Sequence, residues 1–375
     1  MSDSPERAVF FVGRVGSLFK TFAPWIHGAL NGRIAGYLSD RYFHDGEFLI
    51  IGGHQIPTVN FGEFSEIAQA MPIEIVHFFE NLEDMWCIPS LSCWGDVQVV
   101  DFLTKLDALG LPHTYQLVRE ERIWWNDQDN EQIRKVANRL TDARSRNTLV
   151  GRVNAIRRAE RTPLLEVAFD NSNEYFNPRN PRASFVPGPE EIYVDVGAAH
   201  GDTVERFLGV TGGRFRHIYA FEPTPGQFRQ LSRLSQTPGI ETFRNAVGAE
   251  RGSITFYDNA QNPFGGNAVS PGTGTPIEVD CVRLDDAVPE CTLIKMDVEG
   301  YECNVIEGAR GLIEKCRPDM AITCYHYPQD LFQILEKVDG IHSYRNVALR
   351  HYGPSLYDSV LLFSDRQSFD ASRPH

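Results

Sequence analysis

The chain has 375 residues, 42% of them apolar and 23% charged, with a net charge of −14. That is length enough for about two hydrophobic cores, too apolar for disorder, and too acidic for a phosphate-binding surface built on Lys and Arg. Seven cysteines form no C-x-x-C pair, no run approaches the ~20 apolar residues of a membrane span, and the apolar stretch Ala8 to Val12 is too short for a signal segment. Reduced thiols and a cytoplasmic location are therefore the default expectation.

The first third alternates strand and helix patterns. A strand at Ala8 to Val12, a helix at Ser17 to Leu30 and a strand at Arg33 to Leu38 read as a β-α-β unit. Phe48 to Ile51 with a Gly-Gly turn, a helix at Phe61 to Ala70, a strand at Ile73 to Phe79, a helix at Val97 to Leu109 and a strand at Tyr115 to Val118 continue it. This gives an N-terminal α/β domain over residues 1–120. The turn Gly13-Arg14-Val15-Gly16 is a shortened version of the glycine-rich turns that cradle pyrophosphate, with Asp40 the only acidic partner at the next strand end. It reads first as a tight β-α turn and second as a degenerate nucleotide site.

Residues 121–189 form a connector. Apolar positions at Ile133, Val136, Leu140, Leu149, Val153 and Ile156 recur at helical spacing. Between 134 and 161 lie nine basic side chains against Asp142 and Glu160. Such a run is usually a solvated face; the functional alternative is a patch for an acidic group on a substrate, with Arg157 and Arg158 as its probes. Asn171 to Pro189, rich in Asn, Pro and Arg around Tyr175-Phe176, reads as an irregular entry into the last domain.

Residues 190–366 alternate clearly, leaving 367–375 as a tail. Strands at 192–196, 217–221, 240–243, 253–257, 277–282, 292–296, 319–324, 343–349 and 358–363 interleave with helices at 202–209, 224–234, 301–315 and 329–337. The pattern predicts a doubly wound, Rossmann-like sheet of about seven strands, with ligands beyond the strand carboxyl ends. The loop from Asp195 through Gly197, Ala198, Ala199 and His200 to Gly201 opens a helix at Asp202-Thr203. Its G-x-x-x-G spacing differs from the G-x-G-x-x-G of dinucleotide enzymes and suits a cofactor without pyrophosphate. Glu222, at the end of the second strand, is placed to accept both hydroxyl protons of a ribose. Asp195 is placed to hold a charged amino group, directly or through water. The third strand end, Lys295-Met296-Asp297-Val298-Glu299-Gly300-Tyr301-Glu302, brings acids to the same edge; Glu302 reads chiefly as a charge favouring a helix N-terminus.

Taken together, VDVGAAHGDT, FEP, RNAVG (244–248), VRLDD (282–286), IKMDVEGYE (294–302), CYHYP (324–328) and RHY (350–352) resemble the FkbM-type methyltransferase family over about residues 190–363. The resemblance implies a class I methyltransferase fold, S-adenosylmethionine as donor and a hydroxyl acceptor on a sugar, glycan precursor or natural product. By position it assigns Asp195, Gly197, Ala198, Gly201, Asp202 and Thr203 to the cofactor loop, Glu222 to the ribose, Asn245 to the adenine surroundings and Asp297 to the neighbourhood of the reacting methyl. His200 departs from the Asn or Asp usual there. The proton acceptor is expected among Asp297, Glu299 and His326, with His351 behind them. No metal is expected, because Asp297, Glu299 and His326 offer few oxygen ligands for a hard cation. Acceptor contacts are expected around Asn262 to Pro276, Tyr325 to Tyr327 and His351 to Pro354. Two rivals remain: a nicotinamide-dependent oxidoreductase using the N-terminal β-α-β unit, and a non-catalytic cofactor-binding domain.

Overall fold

The computed structural model describes residues 7–39, 43–44, 46–79, 95–111, 130–258, 275–327, 329–353 and 356–370. Within them the chain divides into two compact units. One comprises residues up to 124, 150–168 and 353–356; the other comprises 125–149, 169–352 and the residues from 357 on. The segment between the two α/β regions is thus shared out between both units. Asp40, Cys87, Cys93, the strand expected at Tyr115 to Val118, most of the acceptor segment Asn262 to Pro276, and Pro354 lie outside the described residues.

The first unit holds strands β1 (Ala8–Val12), β2 (Ile34–Leu38), β3 (Phe48–Ile51), β4 (His54–Val59), β5 (Ile73–His77) and β6 (Val97–Asp101) in the order β3-β4-β2-β1-β5-β6. Neighbours pair in parallel except the β3-β4 hairpin, whose turn is the expected Gly52-Gly53. The helix expected over Val97 to Leu109 is corrected: its first five residues are β6, paired with β5 from Ile73↔Val97 to His77↔Asp101. The β-branched Val97, Val99 and Val100 suit a pleated ladder, and the Asp101 side chain then caps a helix Phe102–Ala108 by accepting from the Leu103 N–H at 2.9 Å. Gly13 follows β1 with φ +125, and a Cβ there would lie 2.9 Å from the Phe78 carbonyl carbon. Its glycine serves this close approach to the end of β5, so the turn needs no ligand to explain it.

The basic stretch is divided: Arg134, Lys135, Arg144, Arg146 and Arg158 are exposed, while others are used internally. Arg161, fully buried, makes a forked pair with Asp101 at 2.8 to 3.2 Å, and Arg152 donates to the Leu356 carbonyl. Arg139 clamps Asp339 from two nitrogens, and Arg144 lies 4.5 Å over the Phe169 ring. The expected solvated face thus holds for the exposed members of the run, and Arg152 and Arg161 depart from it as buried side chains.

The second unit is built on strands β7 (Ile192–Val196), β8 (His217–Phe221), β9 (Ile240–Phe243), β10 (Ala246–Val247), β11 (Gly252–Asp258), β12 (Thr275–Val282), β13 (Leu293–Met296), β14 (Asp319–Thr323), β15 (Asn346–His351) and β16 (Ser359–Ser364). Seven of them form a sheet in the order β15-β16-β14-β13-β7-β8-β9, with only β16 antiparallel to its neighbours. Every residue of β7, β13, β14, β15 and β16 is buried, as a sheet covered on both faces requires. The strands expected at 253–257 and 277–282 leave this sheet and join β10 in a separate one, ordered β10-β12-β11. The helix expected over 301–315 is two, Glu302–Gly308 and Arg310–Cys316. The break is fixed by the Asp285 carboxylate, which accepts from the Gly311 and Leu312 N–H groups at 3.2 and 2.8 Å and so gives the second helix its own start.

Candidate active site

Chain order reverses direction in the sheet at β7: β8 and β9 extend to one side, β13 and β14 to the other. Ligands of doubly wound sheets bind beyond the strand carboxyl ends at such a point. A cleft of about 740 Å³, open to solvent, lies there. Its floor is Val196, Gly197, Phe221, Glu222 and Asp297 from the ends of β7, β8 and β13, and its far wall is Ala246, Val247, Ile254 and Phe256 from the small sheet. Asn245, Val298, Glu299 and Tyr301 complete the rim. The combination of apolar walls with a few converging carboxylates is that of a small-molecule site.

Glu222 is 6% exposed. Its Oε1 accepts from the Thr224 N–H at 2.8 Å and from the Thr224 hydroxyl, and its Oε2 accepts from the Ala199 N–H at 3.1 Å. Three of about four lone-pair positions are taken, so one is ready for a ligand hydroxyl and a second is freed only if the Thr224 hydroxyl turns away. Burial pushes the carboxyl above its usual range, and these donated bonds pull the other way.

The loop glycine has a structural cause. Gly197 sits at φ +79, and a Cβ there would lie 1.9 Å from the Asp297 carbonyl oxygen. What approaches closely is the end of β13, and the cleft inherits the result. Asp195 is fully buried: its oxygens meet Lys295 Nζ at 3.2 Å and the Thr203 hydroxyl, and Lys295 also donates to the Gly197 carbonyl at 2.7 Å. The structure therefore turns Asp195 into the sheet to anchor the loop, rather than toward a ligand's amino group, and Thr203 with it. Ala198 is buried with its N–H on the Phe221 carbonyl, while Gly201 and Asp202 start the helix Asp202–Thr211, where His200 Nε2 lies 3.9 Å from Asp202. Of the expected cofactor residues, the cleft wall contains Gly197, Glu222, Asn245 and Asp297. It does not contain Asp195, Ala198, Gly201, Asp202 or Thr203.

Asp297 is the hub of the other end. Its Oδ2 accepts from the Tyr175 hydroxyl at 3.1 Å, and its Oδ1 accepts from Thr323 at 3.2 Å and Tyr325 at 3.3 Å. Burial and then the Asp297 charge hold both phenols well above their usual range, so they stay protonated as donors. Tyr175 comes from the entry segment, where Phe176 packs edge-on against Tyr193 and Phe207 and carries its neighbour into place.

His326, 8% exposed in its side chain, stands among three carboxylates: Nε2 is 3.6 Å from Asp297 and 3.3 Å from Glu299, and Nδ1 is 3.2 Å from Glu302. Burial opposes charge on the ring, but Glu302 and Glu299 outweigh it and hold the imidazole well above its usual range. A ring that is already protonated is a poor base, which corrects the expectation placed on His326. Burial lifts Glu299 above the carboxylate range, against the pull of His326. Glu302 is no mere helix-terminus charge: it is 1% exposed and accepts from the Val298 N–H and the Thr323 hydroxyl, each at 3.1 Å. His351 is fully buried in β15 on the Ser359 hydroxyl at 2.8 Å, away from the cleft lining. Tyr175, Lys295 and the small-sheet wall were not foreseen, and Tyr325 was expected only as an acceptor contact. A Lys inside a buried strand, facing the Asp of the preceding loop, was the available signal for one of them.

Residues 195–353 match the model of the methyltransferase FkbM domain. The chain carries an FkbM methyltransferase domain. Over 159 residues it is 27% identical to the 2-O-methyltransferase NoeI of Sinorhizobium fredii, covering 36% of this chain and 63% of that protein. Over 103 residues it is 28% identical to the hexuronic acid methyltransferase AglP of Haloferax volcanii, covering 26% of this chain and 43% of that protein. The chain thus spans less than two thirds of the length of either relative. The crystal structure of a methyltransferase FkbM from Methylobacillus flagellatus KT superposes with a TM-score of 0.65 at 22% identity, covering 96% of this chain and 90% of that one. The FkbM domain accordingly has the Rossmann-like class I methyltransferase fold. No helix among the described residues is long and apolar enough to cross a membrane.

Proposed function

We propose that this protein is an S-adenosylmethionine-dependent methyltransferase acting on a hydroxyl of a sugar, glycan precursor or natural product, and working in the cytoplasm. The observation that carries the reading is that Glu222 and Asp297, on opposite sides of the β7 loop, face one cleft with an apolar wall opposite. The residues fit the cofactor. Glu222 has an acceptor position left for a ribose hydroxyl, and Val247, Ile254 and Phe256 offer an apolar bed for a purine, with Asn245 at its edge. When bound, S-adenosylmethionine supplies an electrophilic methyl group on a sulfonium.

The chain's own contribution is then alignment and proton removal. Holding acceptor and donor in line accounts for most of the rate in a displacement of this kind. Asp297, held by Tyr175, Tyr325 and Thr323, orients the acceptor hydroxyl. Glu299 lines the cleft with a carboxyl raised by burial and takes the hydroxyl proton, becoming neutral 3.3 Å from His326.

The activities for which the two relatives are named, a 2-O-methyltransferase and a hexuronic acid methyltransferase, favour a sugar acceptor. The nicotinamide reading loses its footing, because Gly13 is explained by Phe78. An acceptor screen with radiolabelled donor over sugar nucleotides, glycans and small hydroxylated metabolites tests the function. Incorporation is expected into a hydroxylated acceptor and not in Asp297→Ala or Glu222→Ala. Near wild-type activity in both variants contradicts the site.

A further inference from the structure

The cluster beyond Asp297 carries more negative charge than methyl transfer requires. Asp297, Glu302 and His326 each present a donor atom within 4.8 Å of the others. Glu299 stands 3.3 Å from His326 Nε2. A proton on His326 neutralises only one of these groups.

Two further features point to a ligand. His326 is more than nine-tenths buried, with both ring nitrogens at ion-pair distance from carboxylates yet without a hydrogen bond of proper angle. The second oxygen of Glu302, Oε2, is buried with no hydrogen-bond partner at all. Buried polar atoms of this kind are normally satisfied.

We propose that Asp297, Glu302 and His326 bind a divalent cation at the acceptor end of the cleft, the cation displacing the proton that the imidazole holds in its absence. An oxygen-rich set with one imidazole suits Mn²⁺ or Mg²⁺. Bonds of about 2.1 Å separate cis donors by roughly 3 Å and trans donors by roughly 4.2 Å, so donors within 4.8 Å of one another would draw together on binding. Three protein donors leave coordination positions open, as at catalytic rather than structural metal sites. The Thr323 hydroxyl lies within hydrogen-bond distance of both Asp297 and Glu302 and can donate its one proton to either, so it sits between two of the ligands and helps to orient them. The open positions would take adjacent hydroxyls, or a hydroxyl and a carboxylate, of a polyhydroxylated acceptor. Glu299 stays outside the coordination set as the proton acceptor. The inference builds on the methyltransferase reading for the acceptor, but the cation site stands on its own donors.

The test uses the full chain, stripped with EDTA and dialysed, and titrated with Mn²⁺ by electron paramagnetic resonance and calorimetry without acceptor. One Mn²⁺ per chain is expected, with affinity falling about 10- to 100-fold in His326→Gln and Glu302→Gln and little changed in Glu222→Gln. Circular dichroism checks that each variant is folded. Should the buried changes unfold the chain, Asp297→Asn, half-exposed, carries the same expectation. Absence of stoichiometric binding, or unchanged affinity in the folded variants, overturns the proposal. S-adenosylmethionine binding is measured in parallel: cation binding without it removes the donor reading alone, and its binding without a cation removes this inference alone.

Discussion

Asp195 and Lys295 show how a loop is held by buried charges that lie outside the cleft lining. Both are buried, at 0% and 3% side-chain exposure, and 3.2 Å apart. Removing one partner of such a pair strands the other without solvent, which typically costs about 3–5 kcal/mol. Lys295→Met is expected to lower stability by that amount in urea unfolding and to weaken cofactor binding through the Gly197 carbonyl it holds. Gly197→Ala is expected to be as damaging, since its Cβ would collide with the Asp297 carbonyl. Gly209→Ala is the control: a helical glycine with nothing within 4 Å, expected to gain roughly 0.5–1 kcal/mol in the same measurement.

His77 in the first unit sets a pH dependence. Burial, with Asp101 opposing and Arg161 assisting, lowers its pKa from the usual imidazole value near 6.5 to about 4. A depressed folded value means the ring folds neutral. The stability it confers is complete above 6.5 and is lost as pH falls toward 4, amounting to roughly 3 kcal/mol across that window. Equilibrium unfolding of the wild type between pH 7 and 4 is expected to show this loss, and His77→Gln to flatten it. An equal slope in both contradicts the assignment.

At the scale of elements, periodicity alone was enough for the alternation of the FkbM domain. Strands such as Ile192–Val196, His217–Phe221 and Ile240–Phe243 are short apolar runs bounded by turns, and they form where the pattern places them. Three features were hidden for physical reasons. Val97 to Asp101 resembles the start of an amphipathic helix, and only its pairing with β5 decides otherwise. The split after Gly308 depends on Asp285, remote in sequence. The departure of β11 and β12 into a second sheet is a tertiary choice that no local signal encodes. The site was legible in the same measure: Glu222, Gly197, Asn245, Asp297 and Glu299 reach the cleft, each at a strand end or just beyond one. Asp195 and Thr203 do not, because Lys295 gives Asp195 a better partner inside the sheet. Asp142 and Arg350, buried at 4% and 1% side-chain exposure and joined at 3.2 Å, tie the start of the helix Ala143–Arg158 to β15. Asp142→Ala is expected to destabilise by about 3–5 kcal/mol in chemical unfolding, because it leaves the Arg350 guanidinium buried. A loss under 1 kcal/mol would show that pair to be dispensable.

For the whole molecule, the balance of charge and the placement of its basic groups point the same way. A net charge of −14 is combined with several basic residues that serve internal contacts, Arg139, Arg152 and Arg161 among them. Nucleic acid is therefore not expected as a substrate, and the chain should pass a DNA column unretained at physiological salt. The central claim is that the cleft at the ends of β7, β8 and β13 binds S-adenosylmethionine. Isothermal titration of the full chain with S-adenosylmethionine, and separately with NAD, tests it most directly. Saturable one-to-one binding of S-adenosylmethionine, at least tenfold weaker in Glu222→Ala, with no heat from NAD, is the predicted result. Binding of NAD alone, or S-adenosylmethionine binding that Glu222→Ala leaves untouched, would contradict it.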